Sequence, residues 1–352
     1  MHGDGIGHEI VPATRQIVDA ALSAVHAPPV EWVELPLGST AIDSHGTPIP
    51  DETIDGLGGQ LQGWILGPHD SASYPERFRG QLTPGGVIRK KFELFANIRP
   101  AAAFPPGVKA MVPPDMDLVI VRENTEGLYA DRNMAVGSGE FMPTPDIALA
   151  VGVFTRAACE RIARTAFALA SRRRNHVTIV HKANVLTLTT GLFRDACRTV
   201  AAEYPHVVVD DEHVDAMAAH LVRRGGDFDV VVTENMFGDI LSDLAGELSG
   251  SLGTAPSINA SETQVMAQAA HGAAPDIAGK NRANPTALFL SSAMMLDWLD
   301  DARGDRLLSA AARRISDAVR TTIASGIATA DLGGLASTSE FSEVVYAHTL
   351  RR

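Results

Sequence analysis

The amino-acid sequence predicts an α/β protein built on a largely parallel sheet. Short β-branched apolar runs alternate with longer amphipathic stretches through most of the chain. The runs are continuously apolar, as strands buried on both faces require. Polar residues follow them directly, where open α/β sheets place their ligands. Residues 230–253, VVVTENMFGDILSDLAGELSGSLG, show all three features in one stretch.

The bulk properties narrow the functional classes. A chain of 352 residues is long enough for two domains. A net charge of −12 argues against nucleic acid as a partner, because phosphate binding needs a basic stripe. No apolar run is long enough to span a membrane, and no signal peptide is read. Cys159 and Cys197 lie far apart without a CxxC pattern, so neither a disulfide framework nor a structural zinc is expected. These features together predict a reduced, cytoplasmic protein.

Taken in order, the chain opens with a glycine-rich turn, Gly3-Asp4-Gly5-Ile6-Gly7, running into a helix over 9–25. The turn resembles a phosphate cradle without fitting G-x-G-x-x-G. Such turns normally follow a strand, so the expectation is that a first strand is missing ahead of it and that a strand slot is left unfilled. Strands are predicted at 30–35 and 63–66, with a helix over 51–61 between them. Another strand at 118–122 leads into Glu123-Asn124-Thr125-Glu126-Gly127-Leu128-Tyr129. A helix over 155–171 precedes a strand at 177–180, which delivers His181-Lys182-Ala183-Asn184. A helix from about 192 to 202, a strand at 207–210 and a helix over 214–223 follow. After 230–253 comes a polar loop, HGAAPDIAGKNRANP, and then helices over 286–299, 305–325 and 339–349.

The residues at strand ends form a chemical set. Arg89, Arg99 and Arg122 offer planar forks suited to carboxylates. Asp215, Asp239 and Asp243 offer hard oxygen ligands for Mg²⁺ or Mn²⁺. Asp239 and Asp243 are four apart, so a helix stacks them on one face, where two like charges call for a cation. By spacing alone a solvated acidic face is the commoner outcome. Tyr129 and Lys182 supply a proton donor and a potential base. Each residue has a bland reading by itself: Arg89 as surface, Lys182 as a strand cap, Tyr129 as a packing aromatic. Their joint occurrence implies a small polycarboxylate chelating a metal.

The motifs GDGIGHEI, RKKFELFANIRP, VIVRENTEGLY, HKANVL, VDAMAAHLV, NMFGDILSDL and HGAAPDIAGKNRANP stand in the order found in the isocitrate/3-isopropylmalate dehydrogenases. The chain resembles this family of β-decarboxylating dehydrogenases over essentially its whole length. The resemblance implies a two-domain fold that is not a Rossmann fold. Residues 1–94 plus 247–352 would form a discontinuous cofactor-side domain, and 95–246 the substrate, metal and dimerisation domain, with substrate and cofactor in the cleft. It implies that Arg89, Arg99 and Arg122 grip the malate-like part of the substrate. Tyr129 and Lys182 would move protons, and Asp215, Asp239 and Asp243 would ligate the metal. Lys182 and Asp215 would come from the partner subunit of a homodimer. His271, Gly272, Asp276, Ile277 and Asn284 would hold the adenosine half of NAD, with Asn184 near the nicotinamide and Asp331 near the adenosine. Asp276 matches the NAD pattern, since a carboxylate accepts from ribose hydroxyls and repels a 2′-phosphate.

The chain departs from the family in three places. The family's first strand is expected to be missing ahead of the glycine-rich turn, Met266-Ala267-Gln268 replaces a Phe-Glu-Pro run, and Gly85-Gly86 stands where members select the substrate's γ-group. Isopropylmalate enzymes place a leucine pair there. Isocitrate enzymes place Ser and Asn, and Thr83 falls at the Ser position. RENTEGLY and HKANVLTLTTGLF resemble NAD-type isocitrate and homoisocitrate enzymes, whereas VDAMAAHLV resembles the isopropylmalate branch. The expected reaction is NAD-dependent oxidative decarboxylation of a 3-substituted (2R)-malate, with isocitrate or homoisocitrate first. 3-Isopropylmalate, tartrate and D-malate are alternatives, as is a catalytically silent regulatory paralogue.

Overall fold

The computed structural model describes residues 1–59, 61–103, 115–304 and 306–351. They form a mixed α/β structure that divides into two units. One takes in Met1–Ile88 and Gly250–Arg352; the other takes in Arg89–Ala103 and the described part of Ala110–Ser249.

The first unit contains α1 (Gly7–Ala24), α2 (Ser39–His45), α3 (Asp51–Gly58) and β1 (Gly63–Ile65). Helix α4 (Pro84–Lys91) runs across the boundary between the units. In the second unit lie β2 (Ala96–Ala102), β3 (Asp117–Glu123), β4 (Glu140–Thr144), β5 (Ile147–Ala150), α5 (Arg156–Ala170), β6 (His176–His181), α6 (Thr189–Ala201), β7 (Val208–His213), α7 (Val214–Arg224), β8 (Val230–Thr233) and α8 (Asn235–Ser249). The first unit resumes with β9 (Ile258–Ala260), β10 (Val265–Ala267), α9 (Thr286–Arg303), α10 (Leu307–Ala324) and α11 (Thr338–Leu350). Helix α10 begins at Leu307, and residue 305, where the sequence places its start, lies outside the described residues.

The sheet of the second unit runs β2-β3-β8-β6-β7. Strand β2 is antiparallel to β3, and β3, β8, β6 and β7 are mutually parallel. Residue alternation splits β8 between two cores. Val230 and Val232 pack with Ile162 and Phe167 of α5 and Phe193 of α6. Val231 packs with Met217 and Leu221 of α7 and Leu241 and Ala245 of α8. Each such side chain contributes about 1.5–3 kcal/mol by leaving water. Because four strands are parallel, their carboxyl ends share one edge, and the polar residues follow them there: Arg122 and Glu123 on β3, His181 before Lys182 on β6, His213 before Asp215 on β7, and Thr233 before Glu234 on β8.

In the first unit β1 pairs in parallel with β10, which pairs antiparallel with β9. Helices α1, α9, α10 and α11 share one core around Phe289, Ile315, Val319 and Phe341. One expectation fails here. Residues 30–35, Val-Glu-Trp-Val-Glu-Leu, carry strand-forming residues yet form no strand, and Val30 and Val33 are exposed. The segment lines a cavity of about 530 Å³ together with Met1, Trp64, Ile65 and Leu308. A strand needs a hydrogen-bonded neighbour, and high β-propensity does not supply one. On that side of β1 the backbone rungs come from Met1, whose amine donates to Ile65 O at 3.3 Å and whose carbonyl accepts from Gly67 N at 3.0 Å.

The hairpin β4–β5 was not foreseen. All nine of its residues are exposed, among them Phe141, Met142, Ile147 and Leu149. A two-stranded ribbon of this kind is marginal in water by itself. Among the described residues no helix is long and apolar enough to cross a membrane.

Candidate active site

Helix α8 carries Asp239 and Asp243 one turn apart, and their carboxylates converge. Arg99 Nη1 lies 3.3 Å from Asp239 Oδ1 and 3.1 Å from Asp243 Oδ1. Arg122, 3% exposed, pairs with Asp239 Oδ1 and donates from Nε to Asn235 Oδ1 at 2.9 Å. Its stem lies over Gly238, where a Cβ would come within 2.6 Å of it. That close approach explains a glycine in the first turn of a buried helix. The Tyr129 hydroxyl donates to Asp239 Oδ2 at 2.5 Å. Arg99 is further held by Asn97 Oδ1 at 2.7 Å and Ser242 Oγ at 2.7 Å.

The electrostatics follow from the crowding. Loss of solvent, then Arg132, Arg122 and Arg99, lower the Arg89 guanidinium to about 9. Loss of solvent and Arg99 lower Arg122 to about 10, with Asp239 opposing. Burial and the bond to Asp239 raise the Tyr129 phenol to about 12. Asp239 is buried, which raises its pKa, but Arg122 and Arg99 outweigh this and hold it below the usual carboxylate value. Asp243 lies above that value, because desolvation and Asp239 outweigh Arg99.

Lys182 and Asp215 form a separate pair. Lys182 Nζ donates to Asp215 Oδ1 at 2.6 Å, and the Asp215 side chain is 68% exposed. The turn carrying Lys182 is pinned by His181, whose Nδ1 accepts from Ala183 N at 3.0 Å and whose Nε2 meets Asp211 Oδ2 at 3.0 Å. Nδ1 therefore takes the acceptor role and Nε2 carries the proton. Among the described residues of the chain, no three His, Cys, Asp or Glu side chains gather closely enough to hold a metal ion. The structure brings Asp239 and Asp243 together and leaves Asp215 elsewhere.

The first unit carries a cavity of about 450 Å³ lined in part by His271, Gly272, Ile277, Asn284 and Asp331. His271 Nδ1 meets Gly272 O at 3.0 Å, which leaves Nε2 buried, with no hydrogen-bond partner among the described residues and in the acceptor role. Burial lowers its pKa, keeping the ring neutral. Asn284 is engaged by Asp331 and by Thr286 N. The Asp331 carboxylate accepts from Ser251, Asn284 and Thr329, so it braces the cavity wall. Asp276 is exposed and does not line this cavity, and Asn184 is likewise exposed. Arg282 and Ala274 line it without having been singled out from the sequence. Thr83 Oγ1 accepts from Gly86 N at 3.1 Å, capping α4.

The glycine-rich turn is no phosphate cradle. Asp4 N and Ile6 N donate to Pro68 O and Ala273 O. The Asp4 carboxylate turns inward to accept from Ser39 N, Asp70 N and the Tyr74 hydroxyl.

The sequence profile described as "Isocitrate/isopropylmalate dehydrogenase" matches residues 1–345. The chain belongs to the isocitrate/isopropylmalate dehydrogenase family. It is 43% identical over 351 residues to the isocitrate/homoisocitrate dehydrogenase of Thermus thermophilus, covering 98% of this chain and 96% of the relative. It is 39% identical over 350 residues to the 3-isopropylmalate dehydrogenase of Methanothermobacter thermautotrophicus, with the same coverage of each chain. The crystal structure of the isocitrate dehydrogenase from Methylococcus capsulatus superposes with a TM-score of 0.86 at 38% identity, covering 99% of this chain and 98% of that one. The fold is thus that of the isocitrate/isopropylmalate dehydrogenases, and the family and its relatives mark the chain as an oxidoreductase acting on a hydroxy acid.

Arg132 escaped the sequence reading. It ends the short 3₁₀ turn Ala130–Arg132, and its guanidinium carbon lies 5.2 Å from the centroid of the Tyr129 ring. Its position three residues after Tyr129 was the available signal.

Proposed function

We propose that the chain catalyses NAD- and divalent-metal-dependent oxidation and decarboxylation of a 3-substituted (2R)-malate. The observation that carries this reading is the convergence of Arg99, Arg122 and Tyr129 on the paired carboxylates of α8. Two oxygen donors one helical turn apart, both within 3.3 Å of one guanidinium nitrogen, are a donor set for Mg²⁺ or Mn²⁺. Asp239 and Asp243 would hold the ion, with Asp215 of a second copy as a further ligand. A bound ion supplies Lewis-acid polarisation of the substrate's hydroxyl and of the ketone derived from it.

The chain's own residues do the rest. Arg89, Arg99 and Arg122 orient the malate carboxylates. Lys182 takes the proton of the 2-hydroxyl as the C2 hydride passes to NAD, giving a β-keto acid. The bond from C3 to its carboxylate then breaks, CO₂ leaves, and the electron pair enters the ketone. Tyr129, whose phenol keeps its proton at neutral pH, returns a proton to C3. NAD is preferred to NADP in this reading because Asp276, outside the cavity but next in sequence to its lining residue Ile277, would repel a 2′-phosphate.

A homodimer is part of the reading. It is supported by the exposed apolar hairpin β4–β5, by exposed Val185, Leu188 and Ile240, and by the separation of Asp215 from the α8 carboxylates. The buried, unpaired thiols of Cys159 and Cys197 suit a reducing, cytoplasmic setting. The isocitrate or homoisocitrate type stands first. 3-Isopropylmalate, tartrate and D-malate are the alternative substrates. A silent paralogue is disfavoured because Tyr129, Lys182 and all three aspartates are present. The test is a panel of these substrates with NAD and Mg²⁺ or Mn²⁺. NADH and CO₂ in equal amounts from at least one are expected, and no turnover of any would refute the reading.

A further inference from the structure

The Lys182 turn is held from behind by a row of side chains that no step of the proposed reaction uses. His181, its side chain 2% exposed, ends β6. Its Nδ1 accepts from Ala183 N at 3.0 Å, and its Nε2 faces Asp211 Oδ2 at 3.0 Å. The other oxygen of Asp211, Oδ1, accepts from Arg198 Nη2 of α6. Burial raises the Asp211 pKa, but the bonds to His181 and Arg198 outweigh it and hold the group below the usual carboxylate value. Asp211 is therefore an ion that accepts and never donates. It fixes the hydrogen of the neutral imidazole on Nε2 and leaves Nδ1 bare for Ala183.

The same ring reaches the other half of the pair. His181 and His213 are register partners on β6 and β7, with ring centroids 5.4 Å apart and planes at 90°. His213 is the residue from which α7 starts, and Asp215 stands in the first turn of that helix. The imidazole thus touches both the turn of Lys182 and the residue that opens the helix of Asp215. Lys182 N also donates to Thr190 Oγ1 at 3.2 Å, so loss of the imidazole bond shifts the turn without unfolding it. Stability does not explain Asp211. Arg198 is 52% exposed and Asp211 31%, and an ion pair so open to water adds little.

We propose that Asp211 is a positioning residue for the Lys182–Asp215 pair, acting through the tautomer of His181. The proposal rests on the dehydrogenase reading above, in which Lys182 takes the hydroxyl proton, and adds the group that holds Lys182 in place. An amide at position 211 separates this role from packing. Arg198 would claim the amide oxygen, and the NH₂ would then turn to Nε2. A donor there moves the ring hydrogen to Nδ1, where it meets Ala183 N–H, and two donors face each other in a buried turn.

The test uses Asp211→Asn, Arg198→Ala and the double variant in the full-length chain. With ¹⁵N-labelled histidine, long-range proton–nitrogen correlation reads the tautomer of His181, whose signals are those missing from His181→Asn. Wild type and Arg198→Ala are expected to carry the hydrogen on Nε2, and Asp211→Asn on Nδ1. In the double variant the amide is free to turn its oxygen to Nε2, so the wild-type tautomer returns. Initial rates on the substrate that wild type turns over, with NAD and Mn²⁺, are expected to follow the tautomer. Asp211→Asn lowers kcat roughly thirtyfold with KM changed by less than about threefold, and the double variant recovers most of the loss. A merely structural role predicts the opposite order, with the double variant the worst. A hydrogen retained on Nε2 in Asp211→Asn, or a kcat loss that the second substitution deepens, overturns the proposal. If wild type turns over no substrate, the dehydrogenase reading fails, and hydrogen exchange at the Ala183 amide decides the positioning role. Faster exchange in Asp211→Asn than in wild type and the double variant upholds that role, and equal exchange removes it.

Discussion

Around Asp239, two arginines and a tyrosine satisfy one carboxylate from three directions, and a second carboxylate sits one turn away. Around Asp215 there is a single lysine and open solvent. Both clusters belong to the second unit and both hang on the carboxyl ends of parallel strands. They differ in how many elements feed them. The first draws on β2, β3, the turn after β3 and α8, so its geometry is fixed by four packed pieces. The second draws on the turn after β6 and the first turn of α7 alone. A salt bridge this exposed contributes little to stability. Its residues make chemical sense when a second copy supplies what one chain leaves apart.

The largest expected effect comes from breaking the first cluster. Asp243→Asn keeps the shape of the side chain and removes half of the α8 donor pair, so steady-state assay should detect no turnover. Because Asp243 is half-exposed and its pKa is raised, the fold should survive the change. Substantial remaining activity would refute the metal assignment.

A smaller effect sharpens the contrast through pH. Arginines hold the first cluster and stay charged under mild acid, whereas the Lys182 turn depends on a neutral His181. Burial lowers the pKa of His181, with Asp211 opposing. A group whose folded pKa is depressed lends its stability above the unfolded value of 6.5, and that stability is lost as pH falls below it. Protonation would put a hydrogen on Nδ1 and break the bond from Ala183 N. The acid limb of the kcat profile should therefore track His181. His181→Asn, whose amide oxygen replaces Nδ1 as acceptor without titrating, should move that limb to lower pH. An unmoved limb would assign it to another group.

Legibility in the sequence followed the same division. Asp239 and Asp243 were readable because helical spacing is local, and β3, β6 and β8 were readable because their apolar runs are buried on both faces. Residues 30–35 looked like a strand and were not one, since pairing depends on a neighbour that no local pattern reveals. The β4–β5 hairpin was missed because all its residues are exposed and carry no core-facing alternation. Arg132 was missed because its burial beside the Tyr129 ring is a tertiary contact, at which the three-residue spacing only hints. The roles of Gly238 and Asp331 were hidden for a related reason. One is required by the stem of Arg122 and the other is consumed by Ser251, Asn284 and Thr329.

The central claim is that the two clusters form one active site contributed by two copies of the chain. Co-refolding Lys182→Met with Asp243→Asn tests it directly, because each variant damages a different cluster. Each alone should be inactive. In a mixed dimer one of the two sites combines an intact α8 cluster with an intact Lys182–Asp215 pair, and NADH formation should reappear. A co-refolded mixture that forms mixed dimers yet stays as inactive as its parents would contradict the account.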